Sequence, residues 1–204
     1  SKTSGQRLLI MVGGVLFNLI LAVLIYAAVL KVWGEEYLPV ENMKYGVVCD
    51  STAMEIGLQN GDKILSIDNQ KIEKTSGIVA YILLNEAKTI QYERNGERKE
   101  AQISKSIIPK LIKGKTFVTP RFPFVISKFS KNSAAKEVGL RKGDKIIALD
   151  TIKTEYFDEF STTIKQFRNK PTSVSVIREN DTLAFNVTIP EIALLGVSAD
   201  LNVF

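Results

Sequence analysis

One transmembrane α-helix followed by two copies of a small α+β domain is the fold class that this sequence predicts. Three observations lead there. Residues 8–30, LLIMVGGVLFNLILAVLIYAAVL, are 23 positions without a formal charge. The segment STAMEIGLQNGDKILSID at 51–68 returns as SAAKEVGLRKGDKIIALD at 133–150 with ten of eighteen positions identical, which marks a duplicated unit. Behind each copy stands an apolar stripe at helical spacing, then two strand-like runs around a turn. The expected boundaries are a helix over 1–34, a first domain over 44–123 and a second over 124–204.

The helix comes first in the chain. A run of 23 apolar residues crosses a hydrocarbon core of about 30 Å. A secretory signal would have a shorter apolar region and a small-residue cleavage site, which neither shoulder of the run shows. Lys2 and Arg7 precede it, and Lys31 and Trp33 follow. Positive charge before the span places the N-terminus in the cytoplasm and the rest of the chain on the far side. Inside the span, Gly13 and Gly14 allow another backbone to approach closely, and the Asn18 amide asks for a hydrogen-bonding neighbour in lipid. Together they suit a helix that packs against other helices.

Each repeat reads as a Ser or Thr cap, a turn or two of helix, a glycine (Gly57, Gly139) ending that helix in the left-handed region, and a leucine returning to the core. A Gly-Asp turn then leads into KILSID or KIIALD, an apolar alternation expected as a half-buried strand. The second helix of each repeat carries Ile78, Tyr81, Ile82 and Asn85, or Phe157, Phe160, Ile164 and Phe167, as core stripes. Hairpins are expected around Asn95-Gly96 and Asn180-Asp181. Ile108-Pro109 and Ile189-Pro190 carry the duplication onward, so each unit reads as a small strand-rich barrel with two helices.

Composition narrows the function. The 27 basic and 22 acidic residues are interleaved, and a net charge of +5 without a one-signed block does not argue for nucleic acid. Lys105, Lys110, Lys113, Lys115 and Arg121 form the densest basic stretch, expected as a solvated linker, with anionic lipid headgroups as the alternative. The chain has no histidine, which removes from it the usual general base, the histidine-dependent protease triads and imidazole-based zinc sites. Cys49, the only cysteine, has no internal disulfide partner and is expected to pack as a small hydrophobe.

The pattern N-S-A-A-x-x-x-G-L-x-x-G-D-x-I-x-x-x-D, at Asn132 to Asp150, resembles bacterial PDZ domains, and the first copy matches with Thr52 and Met54 varying. The resemblance implies tandem, circularly permuted PDZ domains, each able to add an extended peptide to a sheet edge and to capture its terminal carboxylate on loop N–H groups. In the second unit Leu195, Gly196 and Val197 are expected as the carboxylate loop. Val197 to Leu201, with Ser198, would be the pairing strand, and residues 155–168 the opposite wall. The corresponding Gly114 to Val118 departs from that pattern and is followed by Pro120 and Pro123, which remove ladder donors. A spacer or size filter with no bound peptide is the alternative for both units.

A span with G-G-V-x-F-N ahead of two such units is similar to the central part of a bacterial site-2 protease, the RseP-type regulator-of-sigma-E zinc metalloprotease. Its G-x-x-x-N motif maps onto Gly14 to Asn18, with Val15 where the family more often has proline. The family holds zinc through H-E-x-x-H and a later L-D-G aspartate, and neither stands in this sequence. The resemblance therefore implies a fragment that does no cleavage alone. Gly13, Gly14 and Asn18 would position a substrate strand, and the PDZ pair would exclude untrimmed substrates on the periplasmic side of the bacterial inner membrane. Implied partners are single-pass membrane proteins, such as anti-sigma factors or signal-peptide remnants, besides peptide C-termini and the lipid bilayer; no nucleic acid is implied. The alternative is a non-catalytic bitopic PDZ adaptor, such as the inner-membrane component of type II secretion.

Overall fold

The run of apolar residues without proline or charge folds as α1, Ser4–Trp33, in a computed structural model that describes residues 4–33, 39–114 and 116–201. Within it Val12–Val32, 21 residues, is long and apolar enough to cross a membrane. Apart from Asn18 and Lys31 its side chains along this stretch are apolar on every face, and all are exposed. This helix lies in one compact unit, Ser1–Leu38, and everything after it in a second, Pro39–Phe204.

The second unit contains two similar series of elements. The first is β1 (Val47–Cys49), α2 (Ser51–Glu55), β2 (Lys63–Ile67), α3 (Gly77–Asn85), β3 (Thr89–Arg94), β4 (Glu97–Gln102), α4 (Ile108–Lys113) and β5 (Val118–Pro120). The second is β6 (Ile126–Phe129), α5 (Ala134–Glu137), β7 (Lys145–Leu149), β8 (Ile152–Lys153), α6 (Phe157–Thr163), β9 (Pro171–Arg178), β10 (Asp181–Thr188) and β11 (Val197–Ala199). Every pairing among them is antiparallel. The sheet β2-β3-β4 has its counterpart in β7-β9-β10, and the two-stranded β1-β5 in β6-β11. Only α4 and β8 lack one.

Local chemistry explains most of these elements, with three differences from expectation. Gly57 and Gly139 end α2 and α5 at φ +96° and +95°, as the left-handed termination requires. The first cap, however, is Asp50, whose side chain accepts from Ala53 N–H; Ser133 caps the second from Lys136 N–H. An aspartate serves as well as a serine there because either supplies an oxygen to an unpaired amide. Asn95 and Gly96, both at positive φ, make the first two-residue hairpin turn as expected. The second turn is Glu179-Asn180, one residue earlier than expected, because Asp181 already pairs with Arg178. On the second helices Ile78, Ile82, Phe160 and Ile164 are buried, but Asn85 is exposed and bonds Tyr81 C=O, and Phe157 is 38% exposed. After Thr163 the turns tighten to a 3₁₀ segment, Ile164–Phe167.

The basic stretch proves less free than a solvated linker would be. Lys110 pairs with Glu55, and Arg121 reaches from the first series to the start of α6, bonding Asp158 at 3.1 Å and Glu159. The Arg121 guanidinium also lies 3.8 Å from the centre of the Tyr156 ring. Phe122 stacks on Phe157 with centroids 5.3 Å apart, and Phe157 N–H donates to Phe122 C=O. Lys115 lies outside the described residues.

Candidate functional site

The repeated Gly-Asp is more than a turn. Asp144 is 1% exposed and accepts two hydrogen bonds from Arg178, at 2.7 and 2.8 Å, and one from Arg141 N–H. Arg178 also donates to Gly139 C=O at 3.0 Å and lies 5.2 Å from the centre of the Phe185 ring. The first series repeats each polar partner: Asp62 with Arg94, Gln59 N–H on the carboxylate and Arg94 on Gly57 C=O; its ring beside the guanidinium, Tyr92, comes from the arginine's own strand instead of the next one. Burial drives the Asp144 carboxyl upward, but the Arg178 hydrogen bonds and charge outweigh it and hold the group below the usual carboxylate range. Each clamp ties the end of a hairpin to the turn after the first short helix.

A second repeated aspartate closes the other end of each strand. Asp68, at φ 46°, accepts from Lys88 and Thr89 N–H groups, and Asp150, at φ 50°, accepts from Ser173 N–H at 2.6 Å. Neither Arg partner was singled out from the sequence. The available signal was an arginine ahead of the turn in both hairpins, Arg94-Asn95 and Arg178-Glu179.

Against this shared frame, the second series holds an open cleft of about 540 Å³, within the range of small-ligand and peptide sites. Its floor includes Phe124, Phe160, Ile164 and Leu195, all no more than 5% exposed. One wall is α6 and its 3₁₀ continuation; the other is β11, whose only pairing among the described residues is with β6. Leu195, Gly196, Val197 and Ser198 all line it. The loop is held by its carbonyls: Leu195 C=O accepts from Ser133 Oγ and Ala135 N–H, and Gly196 C=O from Ser130 N–H. Among the described residues the N–H groups of Leu194, Leu195 and Gly196 have no acceptor. Gly196 sits at φ +71°, where a Cβ would stand 2.6 Å from Ser130 Oγ and 2.8 Å from Ser133 Cα. Only glycine fits there.

Leu201 is a correction to the expected strand. β11 ends at Ala199, and Leu201 is exposed and lines a different cleft, with Val48, Pro120 and Phe157 among its other walls. In the first series the corresponding position differs. Asp50 N–H donates to Phe117 C=O as Ser130 N–H does to Gly196 C=O, so Phe117 stands where the second series has its glycine. Phe117 is 2% exposed.

On α1, Gly13, Gly14 and Asn18 are all exposed, and a Cβ added at either glycine meets nothing within 4 Å. Gly14 and Asn18, four residues apart, share one face. Cys49 is buried, and burial with the charges of Asp62 and Asp50 pushes its thiol up to about 12. It stays a neutral, packed thiol at neutral pH. Among the described residues no three His, Cys, Asp or Glu side chains gather as a metal site. Among these residues a zinc ion has no ligand set.

Residues 45–94 match the PDZ domain family. Beyond that window the chain aligns with a Treponema pallidum protein bearing a zinc metalloprotease name, 26% identical over 181 residues, which is 85% of this chain and 40% of the relative. It is 29% identical over 119 residues to the zinc metalloprotease RasP of Geobacillus kaustophilus, covering 57% of the chain and 27% of that protein. With the "Probable protease eep" of Enterococcus faecalis it shares 30% over 124 residues, covering 59% of the chain and 29% of that protein. The chain thus spans well under half the length of these relatives. Its homologues are site-2-type zinc metalloproteases, the family that its Gly-x-x-x-Asn helix and Gly-Asp repeats resemble, and it carries a PDZ domain match at residues 45–94.

Proposed function

We propose that this chain is the regulatory, substrate-gating part of an intramembrane zinc metalloprotease acting on single-pass membrane proteins. The observation that carries this reading is that similarity to a metalloprotease-named relative extends over 85% of the chain, far beyond the PDZ match. In this reading both series of the second unit are PDZ domains, circularly permuted because the pairing strand β11 comes last. They stand at the extracytoplasmic entrance of the enzyme in the inner membrane and exclude substrates whose outer domain has not been trimmed. Gly13, Gly14 and Asn18 help position the substrate strand in the bilayer, and zinc is held by parts of the parent protein other than this chain.

The second PDZ groove binds an extended peptide. Support comes from the unpaired edge of β11, the unpaired N–H groups of Leu194 to Gly196, and the apolar floor beside them. A peptide laid antiparallel to β11 brings its terminal carboxylate to that loop.

The test uses the membrane protein that carries this chain, with a single-pass substrate offered trimmed or untrimmed. Cleavage of the trimmed form alone, abolished by a zinc chelator, is expected. Asn18→Ala is expected to lower cleavage about ten- to a hundredfold while insertion is unchanged, since a small misplacement of substrate costs on that scale. No chelator-sensitive cleavage of either form would turn the reading to a non-catalytic PDZ adaptor.

A further inference from the structure

The cleft beside β11 is apolar at its floor and one-signed at its edge. Lys128 on β6, Lys165 in the 3₁₀ segment and Arg168 at its end all line it, and no aspartate or glutamate does. All three are exposed, and none has an ion-pair partner among the described residues. What sets them apart is their gathering around one apolar cleft with no carboxylate among its lining residues, whereas Arg94, Lys110, Arg121 and Arg178 are each held by a carboxylate. Three unpaired cations around one cleft are an attractive field for a ligand of opposite sign, strongest where apolar walls keep water out.

We infer that the occupant of this groove is an acidic peptide: an extended segment with an apolar last residue, a free terminal carboxylate, and Asp or Glu side chains upstream. The apolar residue meets the floor of Phe124, Phe160 and Ile164, and the carboxylate meets the N–H groups of Leu194 to Gly196. The upstream acids answer Lys128, Lys165 and Arg168. This inference rests on the groove being a peptide site, as proposed above, and adds the chemistry that selects among peptides. Exposed ion pairs are individually weak, so two or three acids together discriminate about tenfold. The discrimination weakens with salt, because the rim is solvent-exposed.

The experiment measures binding of labelled peptides to the whole chain held in a zwitterionic nanodisc, so that the lipid carries no net charge. Peptides ending in a free valine carboxylate carry glutamate, glutamine or lysine upstream, and a fourth is the glutamate peptide with its terminus amidated. The glutamate peptide is expected to bind about tenfold more tightly than the glutamine one at low salt. That gap should close at high salt, invert in the double variant Lys165→Glu, Arg168→Glu, and persist in the double variant Lys142→Glu, Lys153→Glu, which makes the same change in net charge on exposed residues away from the cleft. Amidation is expected to abolish binding. Equal binding of the glutamate and glutamine peptides, or preference for lysine, would overturn the acidic specificity while leaving the groove a peptide site. No binding by any peptide to a folded chain, or full binding by the amidated one, would instead remove the carboxylate-capture reading beneath it.

Discussion

The two series keep the same aspartate–arginine clamp and differ at the loop beside the last strand. Asp62 with Arg94 and Asp144 with Arg178 repeat partner for partner, down to the glycine carbonyl that each guanidinium also holds. At the loop, a buried Phe117 takes the position of Gly196, and a six-residue helix, α4, precedes the last strand where the second series has no helix among the described residues. The identical residues therefore serve the frame.

The largest expected effect is Phe117→Ala. Removing a buried ring costs about 3–5 kcal/mol through lost transfer energy and the cavity left behind. Amide exchange should rise through the first series, while peptide affinity at the second stays unchanged. A parallel loss of peptide affinity would show that the two series do not act separately. Next comes Gly196→Ala, where the methyl group collides with Ser130 and Ser133 and the backbone must leave φ +71°. Strain of this kind costs on the order of 1–3 kcal/mol, and peptide binding should vanish. Retained binding, read by the same titration, would mean that the loop is not the capture device.

Arg121→Ala probes the junction between the two series. Its guanidinium, 12% exposed, holds Asp158 and Glu159 at the start of α6, so its removal leaves two carboxylates without their partner. A loss of about 2 kcal/mol is expected, the scale of hydrogen bonds to charged groups. Exchange at α6 should rise and the sheets should stay protected; unaltered α6 would make the junction a passive contact. The smallest effect is in pH. The Asp144 pKa is depressed on folding, so its stabilisation is full above the unfolded value of about 3.9 and fades as pH falls through the lower folded value. Urea midpoints of the parent should therefore drop on acidification below about pH 4, and Asp144→Asn should flatten that limb. An identical acid limb in the variant would place the titration elsewhere.

What the chain order determines alone is local or periodic. The charge-free run forms α1 because its backbone can bond internally whatever surrounds it. Gly57, Gly139, Asn95 and Gly96 set their turns because positive φ is a property of the residue and its immediate bonds. Leu195 to Ser198 could be named as a loop and strand only through the resemblance to PDZ domains, since the corresponding stretch of the first series departs from that pattern. Tertiary structure decided what depends on distant partners. Asp144 meets Arg178 from 34 residues away, Arg121 finds Asp158 across the junction, and Lys128 joins Lys165 and Arg168 only where β6 and α6 face one cleft. The burial of Phe117, the exposure of Asn85 and the departure of Leu201 from the groove belong here too. Periodicity reports which side of an element is apolar, whereas burial, charge pairing and cleft lining are set by which other elements the folded chain brings against it.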